Sequence, residues 1–226
     1  MPDIPDRAAV ETWIFDLDQT LYHPSARIFN QIDARMTAFI MRELGLGRRA
    51  SDRLRKVYWA RDGITLAGLV AEHGVDPVAF LDEVHRIDLR ALRPDRALAA
   101  AIRALPGTRI IHSNGARAHA ERVLAARGLD GLFARIFGID DKGFLPKPRP
   151  EAYAHVIEAA ALDPARAVMV EDDQRNLEVP KALGMTTVWV CYEPGGKAGA
   201  HVDHRVSSLT DFLGAAGRGP CQPGAA

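Results

Sequence analysis

Residues 13–22, WIFDLDQTLY, join three apolar residues to a segment that carries two aspartates, and this stretch decides how the rest of the chain is interpreted. The apolar triplet is continuous rather than alternating, which is typical of a parallel-sheet strand covered by helices on both faces. Asp16 and Asp18 follow at its carboxyl end. Sites in open parallel sheets form beyond the carboxyl ends of the strands, so the stretch predicts a buried strand and a functional edge.

Further apolar runs of the same kind occur downstream, at residues 109–112, 135–137, 167–170 and 187–190. Helical patterns separate the later runs, at about residues 117–127, 151–161 and 176–183. Alternation of strand and helix is typical of a sheet with helices on both faces. The sequence therefore predicts an α/β fold with a Rossmann-like doubly wound parallel sheet as its core.

Between residues 22 and 93 this alternation stops, and only helix-like patterns are found. The clearest is an apolar series at helical spacing, with Ser25 as its candidate N-cap: Ile28, Ile32, Met36, Phe39, Ile40 and Leu44. Further helical pieces are predicted at about residues 54–61, 66–73 and 77–91. A crossover between parallel strands needs one helix rather than a segment of this length. We therefore expect a small all-helical cap domain, residues 22–93, inserted after the first strand.

The remaining parts of the chain complete this division. Residues 1–21 and 94–213 are expected to form the catalytic core, and residues 214–226, rich in Gly, Ala and Pro, are expected to be a disordered tail. Cys191 and Cys221 have neither the spacing of a metal site nor that of a disulfide framework.

Charge and hydropathy argue against several classes of partner. The chain has 29 basic and 29 acidic residues, so no overall field favours a nucleic acid polymer or a membrane surface. The sequence has neither an apolar run of about eighteen residues nor a secretory signal pattern at its start. The expectation is a cytoplasmic protein, monomeric or homodimeric, that acts on a small molecule.

Polar side chains converge on one edge of the predicted sheet. They are Asp16 and Asp18 after the first strand, Ser113 and Asn114 after the second, Glu171 and Asp172 after the fourth, and Lys147 in a preceding loop. Carboxylates bind Mg²⁺ through oxygen, and the metal lets an anionic phosphate approach a carboxylate nucleophile. A second acid suits general acid–base catalysis, and a hydroxyl and a lysine suit a phosphoryl group. The set predicts phosphoryl transfer.

Four stretches resemble, in order, the motifs of the haloacid-dehalogenase-like (HAD) hydrolase superfamily. They are DLDQTLY (residues 16–22), HSNG (112–115), LPKPRPEAY (145–153) and VEDDQRNLEVPKALGM (170–185). A single match to the first motif is a weak signal, whereas four matches in order, each at a predicted strand end or loop, are specific. The resemblance covers residues 12–191 and implies a magnesium-dependent phosphatase with an aspartyl-phosphate intermediate.

The resemblance implies roles for the residues that contact substrate. Asp16 would be the nucleophile and a metal ligand, and Asp18 the general acid and base that also binds the metal through its carbonyl oxygen. Lys147 would pair with the phosphate and the nucleophile. The phosphate-binding set would be Thr20, which also steadies the loop near Asp18, Ser113, Asn114 and Lys147. Gln19 occupies a position where asparagine is frequent.

The fourth motif would supply the rest of the metal site. Asp172 would bind magnesium directly, and Glu171 directly or through water. Asp173 stands where serine is common and leaves the choice of ligands among these three acids open. Asn176 would support the site by orienting the acidic pair or the lysine.

A narrower resemblance, to the pyrimidine 5′-nucleotidase branch of the superfamily, is carried by residues 16–29, by WARDGITLAGLV (residues 59–70) and by HSNG. It implies UMP- or CMP-like nucleoside monophosphates as substrates and a helical insert after the first motif. Candidates for contacts to base or ribose are Tyr22, His23, Tyr58, Trp59, Arg61 and Asp62. For each of them, packing or surface exposure is the favoured interpretation, and His112 is expected to be buried.

Three alternatives stay open. A phosphatase for sugar phosphates or phosphoglycolate would share the chemistry and differ in the cap. A dehalogenase would also use Asp16, but it needs neither the acid at Asp18 nor magnesium. A non-catalytic binding module is disfavoured because every member of the catalytic set is present.

Overall fold

One parallel sheet forms the centre of the computed structural model, which describes residues 7–193 and 195–214. Its six strands are β1 Thr12–Phe15, β2 Thr108–His112, β3 Arg135–Phe137, β4 Ala167–Glu171, β5 Thr186–Val190 and β6 His204–Val206, in the order β3-β2-β1-β4-β5-β6. The five predicted strands are confirmed within one residue at each end. The short edge strand β6 was not predicted, because only His204 of its residues is buried and the segment has no apolar run.

Helices cover both faces of the sheet, as the continuous apolar strands predicted. Within the described residues the α-helices are α1 Ile28–Leu44, α2 Arg48–Asp62, α3 Thr65–His73, α4 Pro77–Val84, α5 Arg96–Arg103, α6 Arg117–Arg127, α7 Pro150–Ala160, α8 Glu178–Ala182 and α9 Leu209–Gly214. Trp13 and Phe15 of β1 pack into one apolar cluster, with α5, α6 and α9, while Ile14 packs into a second, with α7. Both faces of β1 are therefore buried.

The position of β1 explains where the site forms. It lies between β2 and β4, so that Phe15 pairs with Ile111 on one side and Val170 on the other. The backbone N–H of Asp16 continues the ladder by donating to the carbonyl oxygen of Val170 at 2.9 Å. The carboxyl ends of three neighbouring strands thus meet at Asp16, the place where ligands bind in doubly wound sheets.

Four helices, α1 to α4, lie between β1 and α5 and pack on one another around a separate apolar cluster that includes Ile32, Phe39 and Phe80. We call residues 28–84 the helical insert. Helix α1 begins and ends with the predicted apolar series. The predicted cap at Ser25 was wrong, because Ser25 lies in a 3-10 turn and Arg27 occupies the N-cap position without a side-chain bond.

The end of the insert also differs from expectation. Helix α4 ends at Val84, so the prediction of helix to residue 91 was wrong. The next residue, His85, is the C-cap of α4, and its buried ring stacks on His119 of the core, a contact that local periodicity does not encode. Helix α5, before β2, was not predicted.

The described part of the chain closes with α9, whose last residue is Gly214. The rest of the predicted tail, residues 215–226 with Cys221, lies outside the described residues. Cys191 is a buried free thiol. Among residues 7–193 and 195–214, none of the helices has the length and apolar character needed to cross a membrane.

Candidate active site

A buried lysine joins two acids at the carboxyl ends of β1 and β4. The Nζ of Lys147 lies 2.7 Å from Oδ1 of Asp16 and 2.5 Å from Oε2 of Glu171. All three residues are buried, with Lys147 and Glu171 each only 1% exposed. Because β1 and β4 are neighbours in the sheet, Asp16 directly after β1 and Glu171 at the end of β4 are brought within reach of one ammonium group.

The loop that carries Lys147 is held by Asn114. The side-chain Nδ2 of Asn114 donates to the carbonyl oxygen of Lys147 at 3.1 Å, and its Oδ1 accepts the N–H of Lys147 at 2.8 Å. Asn114 follows β2, so these two bonds tie the lysine loop to the third strand of the site. The buried hydroxyl of Ser113 accepts the N–H of Gly115 at 2.8 Å and faces the same cavity as Lys147.

Negative charge is in excess at this edge. Burial and then the charge of Glu171 raise the pKa of Asp16, Lys147 opposes both, and the net result is a pKa of about 7. Burial likewise raises the pKa of Asp172 well above its usual value, with Glu171 and Asp16 as the next causes. Burial alone would lower the pKa of Lys147, but the two carboxylates that contact it outweigh burial and raise it.

A divalent cation fits this arrangement. Asp16, Glu171 and Asp172 each offer one carboxylate oxygen, and these oxygens lie within 4.8 Å of one another. Carboxylate oxygens are the ligands that Mg²⁺ takes in proteins, and a cation there would offset the crowding that raises the pKa of Asp16 and Asp172.

Asp173 lies apart from the cluster. Its carboxylate accepts the backbone N–H of Arg175 at 3.1 Å and pairs with the guanidinium of Arg175 at 2.5 Å, which caps the short helical turn after β4. Among the three acids left open by the sequence, the geometry therefore groups Glu171 and Asp172 with Asp16.

The carboxylate of Asp18 has partners that the sequence did not predict. The hydroxyl of Tyr22 donates to Oδ1 of Asp18 at 2.7 Å, and Nε2 of His119 lies 2.9 Å from the same oxygen. The imidazole of His119 stacks on that of His85, with ring centroids 4.3 Å apart. Tyr22 lies four residues after Asp18, a spacing visible in the sequence, whereas His85 and His119 reach the site only through the fold.

Two other predicted residues have contacts of their own. The hydroxyl of Thr20 lies 3.4 Å from Oδ1 of Asp172, so Thr20 contacts the metal-site acid. The backbone carbonyl of Asn176 accepts the hydroxyl of Tyr153 at 2.6 Å, and Asn176 lines the cavity described next. The roles of Thr20 in phosphate binding and of Asn176 in orienting charged groups remain predictions.

A cavity of about 850 Å³ lies between the sheet edge and the helical insert. The core contributes its polar floor: Asp16, Asp18, Ser113, Asn114, Lys147, Glu171 and Asp172. The insert contributes a largely apolar wall with a charged pair: Phe29, Ile32, Met36, Trp59, Ile64, Phe80, Asp33 and Arg55. The guanidinium of Arg175 lies 4.0 Å from the ring centroid of Trp59 and joins the two sides.

The candidate base-contacting residues differ in whether they line the cavity. Trp59 lines the cavity and is 49% exposed. Tyr58 is buried inside the insert, where its hydroxyl donates to Glu72 at 2.7 Å. Arg61 and Asp62 form an ion pair with each other at 2.7 Å. His112 is buried, as expected. Of this group, Trp59 has the position of a substrate contact.

A family model described as haloacid dehalogenase-like hydrolase matches residues 10–184. A curated relative, phosphate metabolism protein 8 of Saccharomyces cerevisiae, is 24% identical over 202 residues, which cover 81% of this chain and 63% of that protein. The chain therefore spans less than two thirds of the length of this relative.

Solved structures of two activities share the fold. A HAD phosphatase from Thermococcus onnurineus superposes with a TM-score of 0.62 at 18% identity, over 92% of this chain and 98% of the other. The L-2-haloacid dehalogenase from Xanthobacter autotrophicus gives a TM-score of 0.59, also at 18% identity and with the same coverage. At this identity the likeness establishes the fold alone, and the choice between the two activities depends on the site.

Proposed function

Because the chain belongs to the haloacid dehalogenase-like hydrolase family, we propose that it is a phosphatase that hydrolyses pyrimidine nucleoside 5′-monophosphates through an aspartyl-phosphate on Asp16. The observation that carries the proposal is the buried pairing of Asp16 with Lys147, beneath a cavity that Asp18 and Ser113 also line. Phosphoryl transfer requires a nucleophile, a cation near the transferring group and a positioned acid, and Asp16, Lys147 and Asp18 are suited to these three roles.

In the first step, a carboxylate oxygen of Asp16 attacks phosphorus, and the bond between phosphorus and the ester oxygen breaks. The leaving alkoxide takes a proton from the carboxyl group of Asp18. Lys147 stays beside the nucleophile and offsets negative charge on the phosphoryl oxygens. The hydroxyl of Ser113 and the N–H groups after β2 are suited to bind those oxygens.

In the second step, water attacks the phosphorus of the aspartyl-phosphate and gives a proton back to Asp18. The bond between phosphorus and the oxygen of Asp16 breaks, which releases inorganic phosphate and restores the carboxylate. Asp18 thus acts first as acid and then as base.

Magnesium fits the cluster of Asp16, Glu171 and Asp172, and the carbonyl oxygen of Asp18 is a further candidate ligand. When bound, the ion would neutralise part of the charge on the carboxylates and on the substrate phosphate. Asn176 and Asp173 are assigned supporting roles around this site.

The helical insert supports the choice of substrate. We assign residues 22–93 to a cap that excludes bulk water, and residues 1–21 and 94–213 to the catalytic core. The guanidinium of Arg175 lies over one face of the Trp59 ring, and we assign the other face as a stacking surface for a nucleobase. The pair of Arg55 and Asp33, 2.6 Å apart on the cavity wall, offers donors and an acceptor for the edge of the base.

Dehalogenase activity is the competing proposal, since a dehalogenase shares the fold. Asp18 and the three-carboxylate cluster favour the phosphatase, because displacing a halide from carbon needs neither a proton donor for the leaving group nor a divalent cation. A phosphatase for sugar phosphates or phosphoglycolate would share every step and differ only in the leaving group.

The test is phosphate release, with and without Mg²⁺, from UMP, CMP, dUMP, AMP, GMP, phosphoglycolate and sugar phosphates. Chloride release from 2-chloropropionate is measured in parallel. We expect magnesium-dependent release with UMP and CMP preferred. Preference for phosphoglycolate or a sugar phosphate would contradict the proposed nucleotide substrate. Chloride release without phosphatase activity would contradict the proposed phosphatase reaction.

A further inference from the structure

The carboxylate of Asp18 is fixed by two donors. The hydroxyl of Tyr22 donates to Oδ1 at 2.7 Å, and Nε2 of His119 lies 2.9 Å from Oδ1 and 3.2 Å from Oδ2. The His119 side chain is 0% exposed and that of Asp18 13%. When Asp18 is ionised, as it is once it has protonated the leaving group, its carboxylate only accepts hydrogen bonds, so His119 then donates its Nε2 proton to Asp18.

The other side of the imidazole supports this tautomer. The Nδ1 atom of His119 is buried and has no hydrogen-bond partner within the described part of the chain. A proton on that atom would bury an unpaired N–H, which is costly, whereas a proton on Nε2 is bonded to Asp18. The Nε2 atom of His119 is therefore the donor that points at Asp18.

A second histidine, His85, lies directly after the helical insert and packs against this ring. His85 follows α4 and stacks on His119 with an angle of 11° between the rings. The guanidinium of Arg122, on the same helix as His119, donates to the carbonyl oxygen of His85 at 2.9 Å. Helix α6 thus contacts His85 twice, through the ring of His119 and through the bond from Arg122 to its backbone. The ring of His85 covers one face of the His119 ring.

We propose that His119 is a positioning residue for Asp18, and that His85 and Tyr22 complete a clamp that holds the Asp18 carboxylate in one orientation. This assignment rests on the proposed function, in which Asp18 protonates the leaving group. A general acid must lie within hydrogen-bond reach of the atom it protonates, so a carboxylate free to rotate would lose rate in that step above all. One residue of the clamp, His85, lies at the junction between the helical insert and the core.

Leaving-group dependence tests this role. Nucleoside 5′-monophosphates release a poor alkoxide that needs a proton, whereas p-nitrophenyl phosphate releases a stabilised phenolate that needs little help. We expect His119→Phe, which keeps a ring on His85 but removes the donor, to lower kcat on UMP by roughly thirtyfold and on p-nitrophenyl phosphate by less than about threefold. His119→Gln restores an N–H near the position of Nε2 and is expected to recover most of the loss.

The controls separate positioning from general damage. Tyr22→Phe removes the second donor and should shift the same ratio in the same direction. His155→Gln changes an exposed histidine on α7 and should leave both substrates unaffected. Equal losses on both substrates in His119→Phe would mean a purely structural role and would overturn the assignment.

A structural measurement, which needs no turnover, tests the clamp independently of the proposed function. Crystal structures of the wild type and of His119→Phe are expected to show the Asp18 carboxylate bonded to Tyr22 and His119 in the first, and rotated or spread over several rotamers in the second. An unchanged Asp18 rotamer would overturn the clamp. If the wild type releases no phosphate from either substrate, the proposed function fails, and the rotamer comparison still decides whether His119 positions Asp18.

Discussion

Lys147 Nζ lies 2.7 Å from Oδ1 of Asp16, although 131 residues separate them, and both groups are buried at the centre of the sheet edge. Burial of an unpaired carboxylate is costly, so this pairing is what makes an aspartate tolerable at that position. The same ammonium contacts Glu171, and we expect the loss of either partner to change both stability and activity.

Removal of the proposed nucleophile should abolish turnover without unfolding the protein. Asp16→Asn keeps the shape of the side chain but provides no carboxylate to attack phosphorus. We expect phosphate release to fall by at least about a thousandfold, with an unchanged circular dichroism spectrum. Asp130→Asn, at an exposed position, is the matched control and should keep full activity. Turnover near the wild-type rate in Asp16→Asn would rule out this nucleophile.

Loss of the buried lysine should destabilise the fold. Lys147→Met leaves Asp16 and Glu171 buried without their cation, and breaking a buried pair in this way costs about 3–5 kcal/mol. Urea unfolding without metal measures the loss. Lys181→Met breaks the more exposed pair with Asp203 and should cost less than about 1 kcal/mol. Similar losses of unfolding free energy in the two variants would mean that the buried Lys147 pairs stabilise the fold no more than an exposed pair does.

The acidic cluster should respond to magnesium through Asp172. Mg²⁺ is expected to raise the Tm of the wild type by binding the folded state. Asp172→Asn should remove most of that rise. It should also raise the metal-free Tm, because burial and the charges of Glu171 and Asp16 disfavour the ionised Asp172 that it replaces.

Scanning fluorimetry with Mg²⁺ and with EDTA provides both values. Asp173→Asn is the control, since Asp173 pairs with Arg175 outside the cluster, and it should keep the magnesium response. A magnesium shift of wild-type size in Asp172→Asn would remove this residue from the metal site.

Gly63 is a close contact between the insert and the lysine loop. A Cβ there would lie 2.7 Å from Cδ of Pro148 and 2.9 Å from the carbonyl oxygen of Lys147, and its φ is +83°. Gly74 also has a positive φ, +63°, but a Cβ there would meet nothing within 4 Å. Backbone strain alone should cost each alanine variant about 1–2 kcal/mol of stability, and Gly63→Ala should lose more because its Cβ also clashes with the lysine loop.

Only Gly63→Ala should also displace Lys147, and we expect its kcat to fall more than tenfold while Gly74→Ala stays within about twofold of wild type. Thermal melts together with phosphate release distinguish strain from displacement. Equal activity in the two variants would show that this contact does not hold the lysine loop in place.

Trp59 should affect nucleotide binding more than chemistry. Trp59→Ala removes the proposed stacking surface, and stacking of a base on an aromatic ring contributes about 1–3 kcal/mol, so KM for UMP should rise roughly tenfold. KM for phosphoglycolate, which has no ring, should change little. Val57→Ala, on the same helix and 50% exposed, is the control. A parallel rise in KM for both substrates would argue against base stacking.

The sequence alone determined the fold class and the residues at the edge of the sheet. Continuous apolar runs occur where a strand is buried on both faces, so local hydrophobicity located five of the six strands. Acids and a hydroxyl directly after those runs must lie at one edge, because parallel strands end together. Helical periodicity likewise placed α1, whose apolar face is continuous from Ile28 to Leu44.

Only the tertiary structure decided which side chains act on one another. Asp172 and Asp173 are neighbours in the sequence, yet one lies in the acidic cluster and the other pairs with Arg175. His85 follows α4 and stacks on His119 of α6, a contact between distant parts of the chain that no local pattern encodes. Hydrophobic periodicity is a property of a few consecutive residues, whereas hydrogen bonds and buried charge pairs depend on distances between distant parts of the chain, and these are set when the elements pack.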